Sequence, residues 1–387
     1  MRIIWQEMKK IFNPVMLLIL VLINMLMYYI FIGFDISVFP NGRPATDHYH
    51  IGIEMVEKYG HELDEKEFKD FKEVLQQEIK KADEYIQSDK EFAELGITTY
   101  EEYREMKNEV VRDPVFSQLD SKIVFDIGVD LFWEIPARED IIEDFEFVKE
   151  RYGYGYIEQP TEDQERRIQE VVNTGAVNSI FPAYPVEDNF HSISKNITIT
   201  ILVSVLFMIS PIFIRDYKNN MIGLQYTSKA GRSLFKKKVA AGALSAFLIT
   251  TILLVVYYSI YATNDIGMFL ASGINSFMGT VYWYDFTFLQ LIILTIGLTY
   301  VLTLSLSLVA IYVSSICKNY IAIIGFQLPI FVLVCVLIFN RSLLSEAFLI
   351  YSSQLKVAVL YCVIIISPII MLIWKKRREK NQDILFE

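Results

Sequence analysis

Acidic and basic side chains are almost absent from six long apolar stretches of this 387-residue chain, residues 14–34, 195–214, 239–262, 286–313, 320–340 and 355–374. Each stretch has the roughly 20 residues that a helix needs to cross a hydrocarbon layer about 30 Å thick. The apolar residues are continuous rather than alternating, which is typical of helices and not of barrel strands. We therefore predict six membrane-spanning helices.

The missing charges exclude one class of membrane protein. Carriers driven by protons or sodium ions need buried acids, or broken helices with coordinating polar groups, at mid-membrane depth. Here Lys195 and Lys356 lie only at the ends of their stretches, and the deepest polar side chains are Asn24, Gln327 and scattered Ser and Thr. If the protein moves a solute, the energy comes from another source. The lack of a His, Asp and Glu constellation also argues against an integral membrane enzyme.

A phosphate-binding loop is missing as well. The chain contains no G-x-x-x-x-G-K-[ST] segment, whose backbone amides would surround the phosphates of a nucleotide. We expect that this chain is not an ATP-hydrolysing enzyme and that it holds no cofactor of its own.

Cysteine is scarce, and Cys317, Cys335 and Cys362 all lie in the C-terminal apolar part. Disulfides are therefore excluded from the long polar segment 35–193, which must be stabilised without them. This pattern fits a bacterial cell surface and gives no indication of a redox function.

Apolar residues and, in one segment, acids are in excess. Hydrophobic residues make up 53% of the chain, and the mean hydropathy of +0.33 is too high for an ordinary soluble protein. Residues 35–193 hold 38 Asp and Glu against 17 Lys and Arg, although the whole chain has a net charge of only −10. We infer four parts: an interfacial helix with the first span (1–34), an acidic extracytoplasmic domain (35–193), the other five spans (194–374) and a basic cytosolic tail (375–387).

Basic residues gather on one side of the predicted spans. They occur near the N-terminus, in residues 215–238, at Lys318 and after residue 374, whereas the short loops 263–285 and 341–354 hold only Arg341. Because basic loops stay in the cytosol, we predict a plasma-membrane protein with both termini cytosolic. The first apolar stretch is longer than the core of a signal peptide and precedes no small-x-small site, so we expect it to remain as a span.

The first thirteen residues predict a short amphipathic helix. Apolar residues recur on one helical stripe with Trp5 close by, whereas Glu7, Lys9 and Lys10 occupy the other side. We expect this helix to lie along the inner leaflet of the membrane, before Asn13-Pro14 begins the first span.

The acidic segment predicts a mostly helical bundle. Three sequences have the capping-box pattern that begins a helix: Asp64-x-x-Glu67, Thr98-x-x-Glu101 and Thr161-x-x-Gln164. A further helix is predicted over 138–151, after Pro136, and residues 181–185 predict an extended return to the membrane. The fold class is therefore all-α, with six spans, an inner-leaflet helix and a helical domain between the first and second spans.

Residues 215–238 form a polar segment between the second and third apolar stretches. They contain seven Lys and Arg against one acid, and they are typical of an amphipathic helix, a turn and a basic helix start. One interpretation is a basic loop that only sets topology. Against it, a short helix that carries Met221, Ile222 and Leu224 into the cytosol needs a groove to cover them.

At these residues the chain resembles the permease subunit of ABC-2-type exporters. The resemblance rests on Asp216, Leu224, Thr227-Ser228, Arg232 and the lysines at 236–238, and it extends to Glu7, Lys9, Lys10 and Asn13-Pro14. It covers residues 1–34 and 195–380. Asp216 stands where the family usually has Glu, and Asn220-Met221 stands where Gly-Thr is usual, which affects the docking contacts.

The resemblance implies a dimer of permease chains, identical or different, each seated on a separate ATP-binding subunit that holds ATP and Mg²⁺. The segment would be the coupling helix that receives the motion of that subunit. The residues expected to take part are Asp216, Tyr217, Met221, Ile222, Leu224, Gln225, Thr227, Ser228 and Arg232. In this hypothesis Met221, Ile222 and Leu224 fill the partner groove, while Asp216 and Arg232 fix the orientation.

Other motifs have weaker interpretations. His48 and His50, with His61 and nearby acids, lack a fixed third ligand, so we predict no metal site. The acidic domain has two open interpretations: it attracts a cationic ligand, or it only keeps a structural bundle soluble.

The sequence thus predicts the membrane subunit of an ATP-driven exporter of a peptide or an amphipathic, lipid-like compound. The expected partners are the ATP-binding subunit, a second permease chain, the bilayer and the substrate, with no nucleic acid among them. The alternative is a membrane-anchored sensor or interaction protein, whose outer domain binds a cationic ligand and whose cytosolic loop docks a signalling partner.

Overall fold

A computed structural model describes residues 2–109, 113–151, 157, 159–219, 221 and 231–381. Within these residues the regular structure is helical, and β-structure is limited to isolated bridges. In chain order the α-helices are α1 (Arg2–Ile11), α2 (Pro14–Met27), α3 (Arg43–Tyr59), α4 (Glu65–Ser88), α5 (Lys90–Glu94), α6 (Tyr100–Asn108), α7 (Pro114–Ser121), α8 (Leu131–Arg151), α9 (Glu162–Thr174), α10 (Asp188–Ile209), α11 (Ile214–Lys218), α12 (Leu234–Tyr261), α13 (Phe288–Ile316), α14 (Tyr320–Phe339) and α15 (Gln354–Asn381). Helix α2 continues through a wide turn, Tyr28–Ile32, into Gly33–Ser37.

The chain divides into two compact units. The first consists of Met1–Ser37, Phe190–Asp265 and Leu289–Glu387, and the second consists of Val38–Asn189 and Ile266–Phe288. The second unit therefore contains residues 38–189 of the predicted acidic segment 35–193 and, in addition, residues 266–288, which the sequence analysis placed in the loop 263–285 and at the start of the fourth span.

Six helices of the described chain are long and apolar enough to cross a membrane, as predicted. Their bounds are Pro14–Ser37, Ala183–Lys218, Leu234–Asn264, Phe288–Ile316, Tyr320–Phe339 and Gln354–Arg378. The second of these contains α10 and α11 and is the most enclosed. In its most apolar 18 residues 61% are buried, compared with 6% in those of the first.

Hydroxyl groups join the spans of the first unit. Thr295, Thr299, Thr303 and Ser307 follow one another at intervals of four and lie on one buried face of α13. The Thr299 hydroxyl is 2.9 Å from that of Thr198 on α10, and Thr250 of α12 donates to Thr303 at 3.2 Å. Such bonds stabilise helix pairs in lipid, where apolar contact alone gives little preference between partners.

Asn24 joins three spans in the same way. Its amide donates to Ser204 of α10 at 2.9 Å, and its carbonyl oxygen accepts from the Tyr257 hydroxyl of α12 at 2.9 Å. A polar residue of the first span is thus satisfied inside the helix bundle instead of facing lipid.

An aromatic cluster forms part of the core of the second unit. Phe92, Tyr103, Phe116 and Phe132 are buried, and the rings of Tyr103 and Phe132 lie 4.8 Å apart, edge to face. The Tyr103 hydroxyl donates to the Asp120 carboxylate, so the one polar group within this cluster is satisfied.

The helix starts of the second unit follow the sequence at two of three predicted positions. The capping boxes of Asp64 with Glu67 and of Thr161 with Gln164 are confirmed. The third prediction was wrong by one residue, because Thr99 and Glu102 form the box. Glu102 also accepts the backbone N–H of Thr98 at 2.7 Å, which leaves Glu101 to pair with Arg104.

Two other local predictions were correct only in part. The helix predicted over 138–151 exists, but helix α8 begins earlier, at Leu131, and contains Pro136, because burial of Phe132 and Ile135 outweighs the hydrogen bond that proline cannot make. The predicted extended return at 181–185 is instead a wide helical turn, Ala183–Glu187, that leads into α10. Burial of Pro185 and Val186 favours this turn.

A buried ion pair joins α4 and α8. Arg138 donates to Glu78 Oε2 at 2.8 Å, pairs with Glu54 of α3, and lies over the ring of Phe71. We expect Arg138→Met to cost about 3–5 kcal/mol of local stability, because Glu78 would stay buried without its counter-charge. Hydrogen exchange of α4 and α8 in the full-length protein measures this change.

The pH dependence of Arg138→Met provides a second measurement. Burial raises the pKa of Glu78, and Arg138 opposes that rise, so the variant should have a still higher pKa. An acid whose pKa is raised in the folded state destabilises folding while it is ionised, and this cost disappears once it is protonated. The loss of local stability caused by Arg138→Met should therefore shrink as the pH falls from neutral toward about 4.3, the ordinary pKa of Glu. Lys122→Met, which removes an exposed pair with Glu91, is the control and should change nothing measurable. An equal effect of both variants would contradict the prediction.

Candidate functional site

The chain leaves the second span through a break in the helix. Pro211 follows the end of α10, and residues 210–213 form a turn before the short helix α11. Ile214 is fully buried, packing with Val313 and Ile323. This apolar anchor fixes the beginning of α11 and turns the next side chains, those of Arg215 and Asp216, toward α1 and α12.

Asp216 is an acid buried at this turn, with 5% of its surface exposed. One carboxylate oxygen pairs with Lys238 of α12, which is only 3% exposed, and the other is 3.4 Å from Lys10 Nζ of α1. The Lys238 ammonium also lies 4.8 Å from the centre of the Phe213 ring. Three helices thus meet at one carboxylate.

Helix α1 contributes both a cation and an acid to this cluster. Lys10 pairs with Glu7 at 2.8 Å, and Glu7 is itself buried. Arg215 of α11 donates to the backbone carbonyl of Lys10 at 2.5 Å, where the last turn of α1 leaves carbonyl groups unpaired. We call these residues, Glu7, Lys10, Arg215, Asp216 and Lys238, the Asp216 cluster.

Opposite charges are paired within the Asp216 cluster. Two carboxylates face two ammonium groups, so each buried charge has an opposite partner. Burial alone would lower the pKa of Lys10, but Glu7 and Asp216 outweigh it and the pKa is raised. A raised lysine pKa favours the folded state below the ordinary value, so this contribution is present at neutral pH and is lost only in strongly alkaline solution.

The structure gives each predicted coupling residue that it describes a definite place. The Asp216 carboxylate lies inside the chain, so it fixes the segment from within and offers no surface to a partner. Tyr217 and Met221 are exposed, and the Met221 N–H donates to the Asp216 carbonyl at 3.0 Å. Arg232 belongs to the short helical turn Gly231–Ser233. Ile222, Leu224, Gln225, Thr227 and Ser228 lie outside the described residues.

The helix predicted for the N-terminal residues exists, but the structure divides its residues differently from the sequence pattern. Met8 and Ile11, from the apolar stripe, are buried together with Glu7, and α1 packs against α12. Trp5 and Lys9 are exposed. Lys10 is partly exposed and reaches into the Asp216 cluster.

Sequence reasoning did not single out Lys238 from its neighbours. The signal was its position, three residues after Phe235 and three before Ala241, on the face of α12 that is buried. Lys236 is exposed by contrast, and Lys237 is half-buried. A lysine in phase with the buried face of a span needs an acid partner, and Asp216 is the acid nearest in sequence.

Another buried carboxylate, also missed, is that of Glu346, between the fifth and sixth spans. Glu346 pairs with Lys195 of α10 at 3.0 Å and with Arg341 at 3.2 Å. Beside it, His191 Nδ1 lies 2.8 Å from the Ser345 hydroxyl. The signal in the sequence was that Glu346 is the one acid of residues 341–354.

The histidines singled out in the sequence serve other contacts. His48 lies 3.7 Å from Asp140, and His61 Nδ1 lies 3.0 Å from the Ser272 hydroxyl. In the part of the chain that the structure describes, no group of three or more His, Cys, Asp or Glu is placed to hold a metal ion.

Comparisons with models of known protein families, with curated proteins and with solved structures give no match for this chain. The residues and their geometry are therefore the basis for the function proposed below.

A double-mutant cycle tests the Asp216 cluster. Asp216→Ala or Lys238→Ala alone should cost about 3–5 kcal/mol of the free energy of unfolding, because each leaves a buried charge without its main partner. The double variant should cost clearly less than the sum, since no such charge remains. Unfolding by SDS titration in mixed micelles measures all three variants.

The control for this cycle is Lys236→Ala, which removes an exposed lysine two residues away. Its stability should match that of the unchanged protein. Strictly additive losses at Asp216 and Lys238 would contradict the pairing.

Proposed function

We propose that this chain is the membrane-spanning permease subunit of an ABC-2-type exporter. A separate ATP-binding subunit, which holds ATP and Mg²⁺, would supply the energy for efflux of a peptide or an amphipathic, lipid-like compound. Three features support an energy source outside this chain: the six candidate spans, the lack of acids in the six apolar stretches predicted from the sequence, and the missing phosphate loop.

The observation that carries the proposal is the Asp216 cluster. Residues 219–233 are the part of the polar segment between α11 and α12. The cluster ties α11, which precedes them, to α1 through Lys10 and to α12 through Lys238. A force applied to that segment would therefore move the ends of the second and third spans together instead of bending a loose loop. Such an element can have two positions, and nucleotide binding by a partner would favour one of them.

The orientation proposed from the basic residues suits this role. The segment 219–233, α1 and both termini would be cytosolic, where an ATP-binding subunit can reach them. The acidic unit would then lie outside the cytosol, and two permease chains, identical or different, would form the pathway.

The sensor alternative has one observation in its favour. The second unit has an open cleft lined by Arg104, Asn108 and six acids: Glu101, Glu105, Glu109, Glu139, Asp140 and Glu143. This surface has the charge to attract a cationic ligand. Purification of the protein from its native host separates the two functions, because an ATP-binding chain should accompany a permease and not a sensor.

A substitution in the proposed coupling helix tests the leading function directly. Leu224→Asp places a charge where the partner groove should be apolar, so stimulation of the partner's ATPase activity should fall by at least about tenfold, for a loss of roughly 1.4 kcal/mol or more. Proteoliposomes that contain both subunits measure this activity.

Ser233→Asp is the matched control, because it adds the same charge at an exposed position near the end of the segment. It should leave the stimulation unchanged, and both variants should insert in the membrane normally. If Leu224→Asp retains full stimulation, the proposed docking is wrong.

A further inference from the structure

Helix α1 has two faces of different chemistry. Residues 7, 8 and 11 are buried toward α12, and residues 2, 5 and 9, on the opposite side, are exposed. At 100° per residue, Arg2, Trp5 and Lys9 fall within about 60° of one another, whereas Glu7 and Ile11 point the other way. The face turned away from the protein therefore carries a tryptophan and two cations.

This exposed face has the composition of a membrane-interface contact. The Trp5 side chain is 59% exposed, and Lys9 Nζ lies 5.6 Å from the centre of its ring. Tryptophan favours the headgroup level of a bilayer, because its ring is apolar and its N–H needs a polar partner. Of the apolar stripe predicted to enter the leaflet, Met8 and Ile11 are buried inside the protein and Ile3, Ile4 and Phe12 are half-buried, so the Trp5 face is the most exposed side of the helix.

The position of α1 in the chain places it beside lipid. Only Phe12 and Asn13 separate α1 from α2, whose Val15, Leu18 and Leu22 side chains are more than half exposed. These residues belong to the least enclosed candidate span, so in a membrane they would face acyl chains. A surface two residues from the start of this span would then lie at headgroup depth.

The end of the last span repeats this chemistry. Exposed Ile370 and Ile373 of α15 are followed by exposed Trp374, then by Arg377 and Arg378. The Arg378 guanidinium lies 5.5 Å from the centre of the Trp374 ring. Along this helix the isoleucines, the tryptophan and the arginines thus follow the order of the layers of a bilayer: acyl chains, interface and phosphate groups.

We propose that the exposed face of α1, formed by Arg2, Trp5 and Lys9, is a binding site for the headgroups of anionic phospholipids. The cations would pair with the phosphate and the second negative group of the lipid, while Trp5 lies at the level of the glycerol backbone. Because Glu7 lies on the opposite face and half-exposed Lys10 lies between the two faces, a bound lipid also steadies the helix that completes the Asp216 cluster. This inference does not depend on the proposed transport function.

The test compares phosphatidylglycerol with phosphatidylcholine. Native mass spectrometry of the full-length protein, titrated with each lipid, should show tighter retention of phosphatidylglycerol. Arg2→Gln with Lys9→Gln should weaken that retention about 25-fold, since each cation near an anionic headgroup contributes about fivefold. Trp5→Leu should weaken the binding of both lipids and leave the preference between them.

Two controls assign the effect to this face of α1. Lys66→Gln with Lys69→Gln removes two exposed lysines of α4 in the second unit and should leave lipid retention unchanged. Labelling of a cysteine introduced at Ser233 shows whether the double variant Arg2→Gln, Lys9→Gln inserts with the same orientation as the unchanged chain. If the double variant inserts differently, Trp5→Lys is used in its place. Because Trp5→Lys adds a cation, it should tighten retention of phosphatidylglycerol.

Three results would overturn the proposal. One is equal retention of the two lipids by the unchanged protein. Another is full retention of phosphatidylglycerol by the double variant Arg2→Gln, Lys9→Gln. Where Trp5→Lys is used in its place, the corresponding result is retention no tighter than that of the unchanged protein. The third is displacement of phosphatidylglycerol by inorganic phosphate at matched ionic strength, which would assign the face to a soluble anion.

Discussion

The charge of Asp216 cannot stay buried without cations, and much of the first unit is arranged around that requirement. A carboxylate at the end of an apolar span must be either hydrated or paired with a cation. Here α1 and α12 shield the Asp216 carboxylate from water. Lys238 and Lys10 then have to come from two different helices. The N-terminal helix is consequently part of the folded bundle and not an appendage that lies beside it.

The composition of the spans makes such end contacts decisive. Between helices in lipid, apolar packing gives little preference for one neighbour over another, so the specific contacts come from hydroxyls, amides and the charges at the ends. Asn24 selects α10 and α12 as neighbours of the first span, and the threonines of α13 select α10 and α12 as its neighbours. The charged ends then fix how far each span is displaced along its axis.

How much of this could be read from the sequence depends on the range of the interaction. The six spans and two of three helix caps follow from local patterns, because hydropathy and capping involve residues a few positions apart. The identity of the Asp216 partners did not follow, since Lys10 lies 206 residues away and nothing local distinguishes it from Lys9. The amphipathic pattern of α1 indicated a helix, but it could not decide whether lipid or protein covers the apolar stripe.

The second span is held at both of its ends, and this has a consequence for any function that requires motion. Near its start, Lys195 pairs with buried Glu346, and just beyond its end Asp216 pairs with Lys10 and Lys238. It is also the most enclosed of the six candidate spans, so its side chains have little freedom to repack. Helix α10 spans Asp188–Ile209 and can move as a rigid rod, but residues 210–213 form a turn between it and Asp216, so part of a displacement at Asp216 would be absorbed there. Under the proposed function, a displacement of residues 219–233 would reach Lys195 and Glu346 to the extent that this turn transmits it to α10.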